Sequence, residues 1–161
     1  MDIRAKIKTR ESITGIRKEL AEAGKTVVFT NGCFDILHRG HVEYLAQARE
    51  QGDALILGLN NDASVRRLKG SQRPILPEED RAFILAGLAA IDYVVLFEED
   101  TPLELISIIQ PDILVKGGDY NVADIVGREV VEKRGGKVIV LPFVPNRSTT
   151  DIVQKITELV K

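Results

Sequence analysis

The sequence predicts an α/β fold: a Rossmann-like, doubly wound parallel sheet of about five strands, covered by helices on both faces. Two observations carry this. Segments made almost wholly of Val, Ile and Leu each precede a helical segment, and strands that read as continuous apolar runs are those buried on both faces. A length of 161 residues, 44% of them hydrophobic, supplies one sizeable core, so a single domain over 1–161 is expected.

Taken in order, residues 2–23 intersperse charged positions with Ile3, Ile7, Ile13, Ile16 and Leu20, which suits an N-terminal helical segment ending near Gly24. A strand at 26–31 and a helix at 39–51 follow, then a strand at 53–59 and a short helix at 62–68. Lys69 to Pro77 is a polar loop marked by Gly and Pro. Pro77 at a first helical position, with Glu78, Glu79 and Asp80 behind it, opens a helix reaching about Ala90. After a strand at 92–97, Thr101-Pro102-Leu103-Glu104 reads as a capping-box helix start, and Pro111 closes that helix. A strand at 113–116, a helix at 125–134, a strand at 137–141 and a helix at 149–160 complete the chain.

Composition narrows the partners. The formal net charge is −2 and the 22 Lys and Arg residues are scattered, so no basic stripe suits a nucleic acid. A small-molecule partner is favoured. No apolar run approaches bilayer-spanning length, and the charged start from Met1 to Ser12 is unlike a signal sequence. One cysteine offers no disulfide framework, and a cytoplasmic location is expected.

The motif richest in chemistry is Thr30-Asn31-Gly32-Cys33-Phe34-Asp35-Ile36-Leu37-His38-Arg39-Gly40-His41, directly after the apolar Val27-Val28-Phe29. Its two histidines, three residues apart, fall on one face of a helix's first turn, where unpaired N–H groups and the dipole favour anions. Gly40 lets phosphate oxygens approach the backbone. A structural zinc site would need carboxylates as well, because His38, His41 and Cys33 exhaust the histidines and cysteines. Neither GxGxxG nor GxxxxGK[ST] occurs, which argues against dinucleotide and P-loop enzymes.

Other candidates lie at strand ends. Asp35 reads either as a turn residue or as a contact to an acceptor, and Cys33 reads as a small turn residue rather than a nucleophile. Asn61 and Asp62 sit where an open α/β sheet places ligand contacts, although both are also ordinary turn and N-cap residues. In the basic run Arg66, Arg67, Lys69 and Arg73, Lys69 is the best candidate to neutralise a pentavalent phosphorus. Lys116, Gly117 and Asp119 form a Gly-rich turn suited to a base or ribose. Ser148 and Thr149 open the last helix, as caps, as an anion site, or as both.

Together, TNGCFDILHRGH, NNDASVRRLKG, PEEDRAFILAGLAAIDYVVLFEEDTPLELI, VKGGDY, VGREVVEKRGG and the RSTT helix start resemble the cytidylyltransferase-like nucleotidyltransferases, with greatest similarity to the adenylyltransferase domain of bacterial ADP-heptose synthase. The resemblance implies a nucleotidyltransferase-type α/β sandwich from about Gly24 to the end. It also implies transfer of AMP from ATP to D-glycero-β-D-manno-heptose 1-phosphate, with Mg²⁺ carried mainly on the triphosphate. Carried over by position, His38, His41 and Lys69 are catalytic. Cys33 and Phe34 match the turn that meets the nucleotide, Ser148 and Thr149 the terminal phosphate-binding helix, and Asp35 a position near the transferred group. From the residues themselves, Gly40, Lys116, Gly117 and Asp119 join the expected nucleotide contacts, and Asn61, Asp62 and Arg81 join Asp35 as expected acceptor contacts. The RTEG arginine of related cytidylyltransferases has no counterpart in Leu141–Asn146, which argues against CTP. A homodimer is expected from the family, and a separate sugar kinase would supply the acceptor. The competing readings are a polyol-phosphate cytidylyltransferase, an ATP-sensing module and an aminoacyl-tRNA synthetase fragment.

Overall fold

The computed structural model describes residues 2–118, 120–142, 145 and 147–160. One all-parallel sheet runs through it. Its strands are β1 (Ile7–Lys8), β2 (Val27–Gly32), β3 (Ala54–Asn60), β4 (Tyr93–Phe97), β5 (Ile113–Gly117) and β6 (Lys137–Leu141), in the spatial order β1-β4-β3-β2-β5-β6. The five expected strands are present, and β1 is a sixth. It is two residues long, pairing Ile7 with Val94 and Lys8 with Val95, which is too short to leave a periodic signal.

The helices are α1 (Arg10–Glu22), α2 (Arg39–Arg49), α3 (Asp62–Lys69), α4 (Glu78–Ala86), α5 (Leu103–Ile109), α6 (Arg128–Glu132) and α7 (Thr149–Leu159). Alternation along each strand divides the core into two layers. Val28, Leu55, Leu57 and Val94 face Leu45 and Ala48 of α2 and Ala82 and Leu85 of α4. Val27, Phe29, Ile56 and Val95 face Ile13 of α1, Leu105 and Ile109 of α5 and Val131 of α6. Central β3 is buried at all seven positions, which is why its sequence carries no polar face.

An aspartate before each of three strands fixes the register. Asp53 accepts from the N–H of Thr26, Asp92 from that of Leu55 and Asp112 from that of Val27, each at 2.8 Å. These ties set the N-terminal strand ends against one another, so the C-terminal ends of β2, β3 and β5 emerge side by side. The N-terminal segment is integral to the fold. Thr9 and Ser12 form a reciprocal capping box at α1, and Arg17 of α1 reaches the Gln110 carbonyl and Asp112.

Two expected helix starts differ. Pro77 is the N-cap of α4 rather than its first residue. The Thr101–Glu104 capping box does not form: Pro102 is the N-cap of α5 with no side-chain cap, and Glu104 instead accepts from Arg10 at 2.7 Å. The helix expected over 125–134 shortens to α6, because Ile125 leaves the helix to enter the core at 6% exposure.

Candidate functional site

Strand order reverses between β2 and β5, since β3 and β4 lie to one side of β2 and β5 and β6 to the other. In an open α/β sheet such a switch point opens a crevice at the C-terminal strand ends. A cavity of about 860 Å³ lies there, reached by the turn after β2, the end of β5 and the start of α7.

The turn between β2 and α2 forms the cavity floor. Phe34 takes a left-handed conformation, φ 44°, and its buried ring packs under Gly32, where a Cβ would stand 2.8 Å from the ring. Any larger residue at 32 would have to displace this ring. The same ring meets His41 edge-on at 5.1 Å between centroids. His38 is the N-cap of α2 and makes no side-chain cap, so the first N–H groups of the helix are left for an anion. The His38 and His41 rings stack at 3.8 Å between centroids and 21° between planes. A Cβ on Gly40 would come within 3.1 Å of the His38 ring and 3.2 Å of the Arg147 Cβ, so this residue keeps the helix start open.

Both imidazoles are held neutral. Burial, reinforced by the neighbouring His38, pushes His41 down to about 4 despite the Ile36 carbonyl. Burial and the Arg147 guanidinium also lower His38, against the pull of Asp151. The Nδ1 atoms of both rings are buried and have no hydrogen-bond partner among the described residues. Buried polar atoms without partners are uncommon in native proteins, and in a cavity they mark where a ligand's polar atoms fit.

The wall on the β5 side is built from Lys116, Gly117 and the start of α7. Lys116 hydrogen-bonds to Asn31 Oδ1 across the switch point, and burial lowers its ammonium to about 8. Gly118 follows at φ 117°, a conformation that favours glycine. Asp119 lies outside the described residues. Ser148 caps α7 by accepting from the Asp151 N–H at 3.0 Å, and Thr149 donates to the Ile36 carbonyl at 3.3 Å. That contact seats a second helix N-terminus beside the first.

The opposite wall comes from the β3 side. Lys69 ends α3 and reaches the cavity, as does Arg73 in the following loop. Asp35, 2% exposed, accepts from the N–H groups of Ile75 and Leu76 at 2.8–2.9 Å and pairs with the Arg73 guanidinium. Burial alone would raise this carboxyl; those donors outweigh it and hold it below the usual range. Cys33 also faces the cavity. Burial raises its thiol, against Lys69, Arg81 and Arg73, which makes it a poor nucleophile at neutral pH.

Three expected acceptor contacts lie away from this cavity. Arg81 is 1% exposed and donates to the carbonyls of Leu76, Cys33 and Asn60 and to the Asp62 carboxylate, at 2.7–3.0 Å. It staples the ends of β2 and β3 to the start of α3 and the loop before α4. Asp62 is correspondingly held by Arg81, and Asn61 caps α3 by accepting from the Ser64 N–H. All three shape the site from beneath. The sequence reading did not foresee Arg73 as a partner of Asp35, because the two are 38 residues apart. A lone carboxylate aimed back from a strand end toward an Arg-Pro loop was the only available signal.

A switch-point cavity joining two helix N-termini to a neutral histidine pair defines a nucleotide-handling α/β protein. The chain belongs to the cytidylyltransferase-like family, whose pattern it matches over residues 29–155. It is 59% identical over 152 residues to the bifunctional protein HldE of Geobacter sulfurreducens, covering 94% of this chain and 31% of that one. Identity to HldE of Syntrophotalea carbinolica is 57% over 154 residues, covering 96% and 31%. The chain thus spans about a third of the length of these curated relatives. Among solved structures it resembles a lipopolysaccharide core biosynthesis protein from Thermoplasma volcanium, with a TM-score of 0.62, 28% identity and coverage of 75% of this chain and 98% of that one. Pantoate-beta-alanine ligase from Francisella tularensis shares the fold at a TM-score of 0.61 and 18% identity, covering 94% and 77%.

Proposed function

We propose that this protein transfers AMP from ATP to a sugar 1-phosphate, D-glycero-β-D-manno-heptose 1-phosphate, giving ADP-heptose and pyrophosphate. The observation that carries the reaction type is the pair of buried, unpartnered imidazole nitrogens beside two helix N-termini. The acceptor rests on the resemblance to ADP-heptose synthase, and the high identity to the HldE proteins supports it.

A sugar phosphate is already an anion at neutral pH, so alignment and charge neutralisation are the enzyme's main tasks. The 1-phosphate oxygen attacks the α-phosphorus in line as the bond to the bridging oxygen of pyrophosphate breaks. No covalent enzyme intermediate forms. His38 and His41, neutral and stacked, donate to the non-bridging oxygens as charge builds. The α2 and α7 N-termini hold the phosphate chain, with pyrophosphate leaving on the α7 side. Lys69 stands on the β3 wall and serves the pentavalent phosphorus and the incoming group, rather than the pyrophosphate alone. Lys116, Gly117 and Asp119 receive the nucleoside.

Among the described residues no group of three His, Cys, Asp or Glu side chains is arranged to hold a metal ion. The phosphate oxygens fit the hard cation better than any protein donor set here, and Mg²⁺ bound to them would supply further charge neutralisation. No helix among the described residues is long and apolar enough to cross a membrane; a cytoplasmic location is part of the proposal. A homodimeric assembly and a sugar kinase activity that supplies the acceptor complete the proposal.

Pyrophosphate release measured with ATP or CTP against a panel of sugar and polyol phosphates tests it. Turnover with ATP and heptose 1-phosphate is expected. Preference for CTP and glycerol 3-phosphate would replace it with the cytidylyltransferase reading, and nucleotide binding without any product would favour a sensing module.

A further inference from the structure

The two walls of the cavity have different chemistry, and the difference assigns the acceptor's place. On the β5 and β6 side stand α7 and the glycine turn after β5; on the β3 side stand Lys69 and Arg73. The turn after β2, with its histidine pair, lies between them. In-line displacement needs the attacking and leaving oxygens on opposite faces of the phosphorus. With the phosphate chain running toward α7, the attacking group arrives along the β3 wall.

Arg73 is the built feature of that wall. Its side chain is 22% exposed, and the side chain of its partner Asp35 is 1% exposed. Asp35 spends both oxygens on three donors, the Ile75 and Leu76 N–H groups and Arg73 Nε. Such a carboxylate has no free lone pair directed at a substrate and cannot serve as a base. The pairing uses Nε and leaves the two terminal nitrogens of the guanidinium, in a planar fork that matches two oxygens of a phosphate. Asp35 thereby fixes the side chain's direction before any substrate arrives, which lowers the ordering cost of binding.

We propose that Arg73, oriented by Asp35, receives the phosphate of the acceptor, so that this wall admits phosphate monoesters and rejects neutral alcohols as attacking groups. Arg73 is then a binding residue and Asp35 a positioning residue. The inference rests on the adenylyl-transfer reading for the order of events at phosphorus, but its ligand chemistry is testable apart from turnover.

Steady-state kinetics of Arg73→Ala, Arg73→Lys and Asp35→Asn, with each substrate varied in turn, decide it. Arg73→Ala is expected to raise the KM for heptose 1-phosphate at least tenfold, with the KM for ATP and the Kd of a non-hydrolysable ATP analogue within twofold of wild type. Arg73→Lys should recover part of that loss, since it restores the charge without the fork. Asp35→Asn should raise the same KM, and the double variant Asp35→Asn/Arg73→Ala should be no worse than Arg73→Ala alone, as residues acting through one another require. Should Asp35→Asn fail to fold, the Arg73 variants carry the test. Equal rises in both KM values, a rise for ATP alone, or no change in Arg73→Ala would overturn the assignment. Absence of turnover by wild type with every sugar 1-phosphate would refute the adenylyl-transfer reading instead. Calorimetric binding of heptose 1-phosphate to wild type and Arg73→Ala then decides the Arg73 assignment: weaker binding by the variant supports it, while equal affinity or no binding to either overturns it.

Discussion

Arg81→Met removes a guanidinium that has no exposed side-chain surface and four acceptors. Methionine keeps the apolar stem, so the cost comes from the polar groups left behind. Three carbonyls lose a charged donor, and the Asp62 carboxylate, 24% exposed, loses its partner but regains some water. A hydrogen bond to a charged group contributes about 1.5–3 kcal/mol and breaking a fully buried pair costs about 3–5 kcal/mol; partial hydration and non-additivity keep the sum here at about 3–5 kcal/mol. With a urea m-value of about 2 kcal/mol/M, the unfolding midpoint followed by circular dichroism should fall by about 2 M. Arg81→Lys restores the ion pair but not the fork across three carbonyls, and should fall between. A midpoint shift under about 0.5 M would refute the staple role. An isolated rise in acceptor KM at unchanged stability would return Arg81 to direct substrate contact.

Two further outcomes follow from the site. With only two histidines in the chain, the wild-type NMR titration is unambiguous once single-histidine variants assign the two resonances: His41 should stay neutral until about pH 4 and His38 should titrate below the ordinary value of 6.5. Because the unfolded state takes up these protons first, the histidine contribution to stability should be level above about pH 6.5 and decline as pH falls from there toward 4. A His41 midpoint at or above 6.5 would contradict the neutral pair. Gly40→Ala places a methyl 3.1 Å from the His38 ring, and should lower kcat/KM for ATP at least tenfold while leaving the urea midpoint within about 0.5 M of wild type. Unchanged kcat/KM would show that nothing needs the open helix start.

Legibility in the sequence followed the range of the interactions. The strands β2 to β6 were readable because each is a run rich in Val, Ile and Leu, a pattern that follows from full burial in central β3 and persists in β6, which is only partly buried at the sheet edge. β1 was not, since two residues cannot show a period. The Thr101–Glu104 signature misled because Glu104 finds a stronger partner in Arg10, 94 residues away. At the site, His38, Gly40 and His41 were legible through spacing within one helical turn. Asn61, Asp62 and Arg81 carried the same polar signature whether they held a ligand or the fold. Only the long-range contacts of Arg81 to Cys33 and Asn60, 48 and 21 residues away, separate the two roles. The Asp35–Arg73 pair escaped notice for the same reason.

In the proposed reaction the α-phosphorus of ATP is attacked by an oxygen of the sugar 1-phosphate. Phosphorus NMR of the reaction with heptose 1-phosphate carrying ¹⁸O in its phosphate reads this directly. Pyrophosphate and ADP-heptose are expected, with one labelled oxygen bridging the two phosphorus atoms, and a rate lowered about 10²–10³-fold in His41→Ala at unchanged fold. Formation of ADP with a bisphosphorylated sugar, label lost from the bridge, or a His41→Ala rate equal to wild type would contradict it.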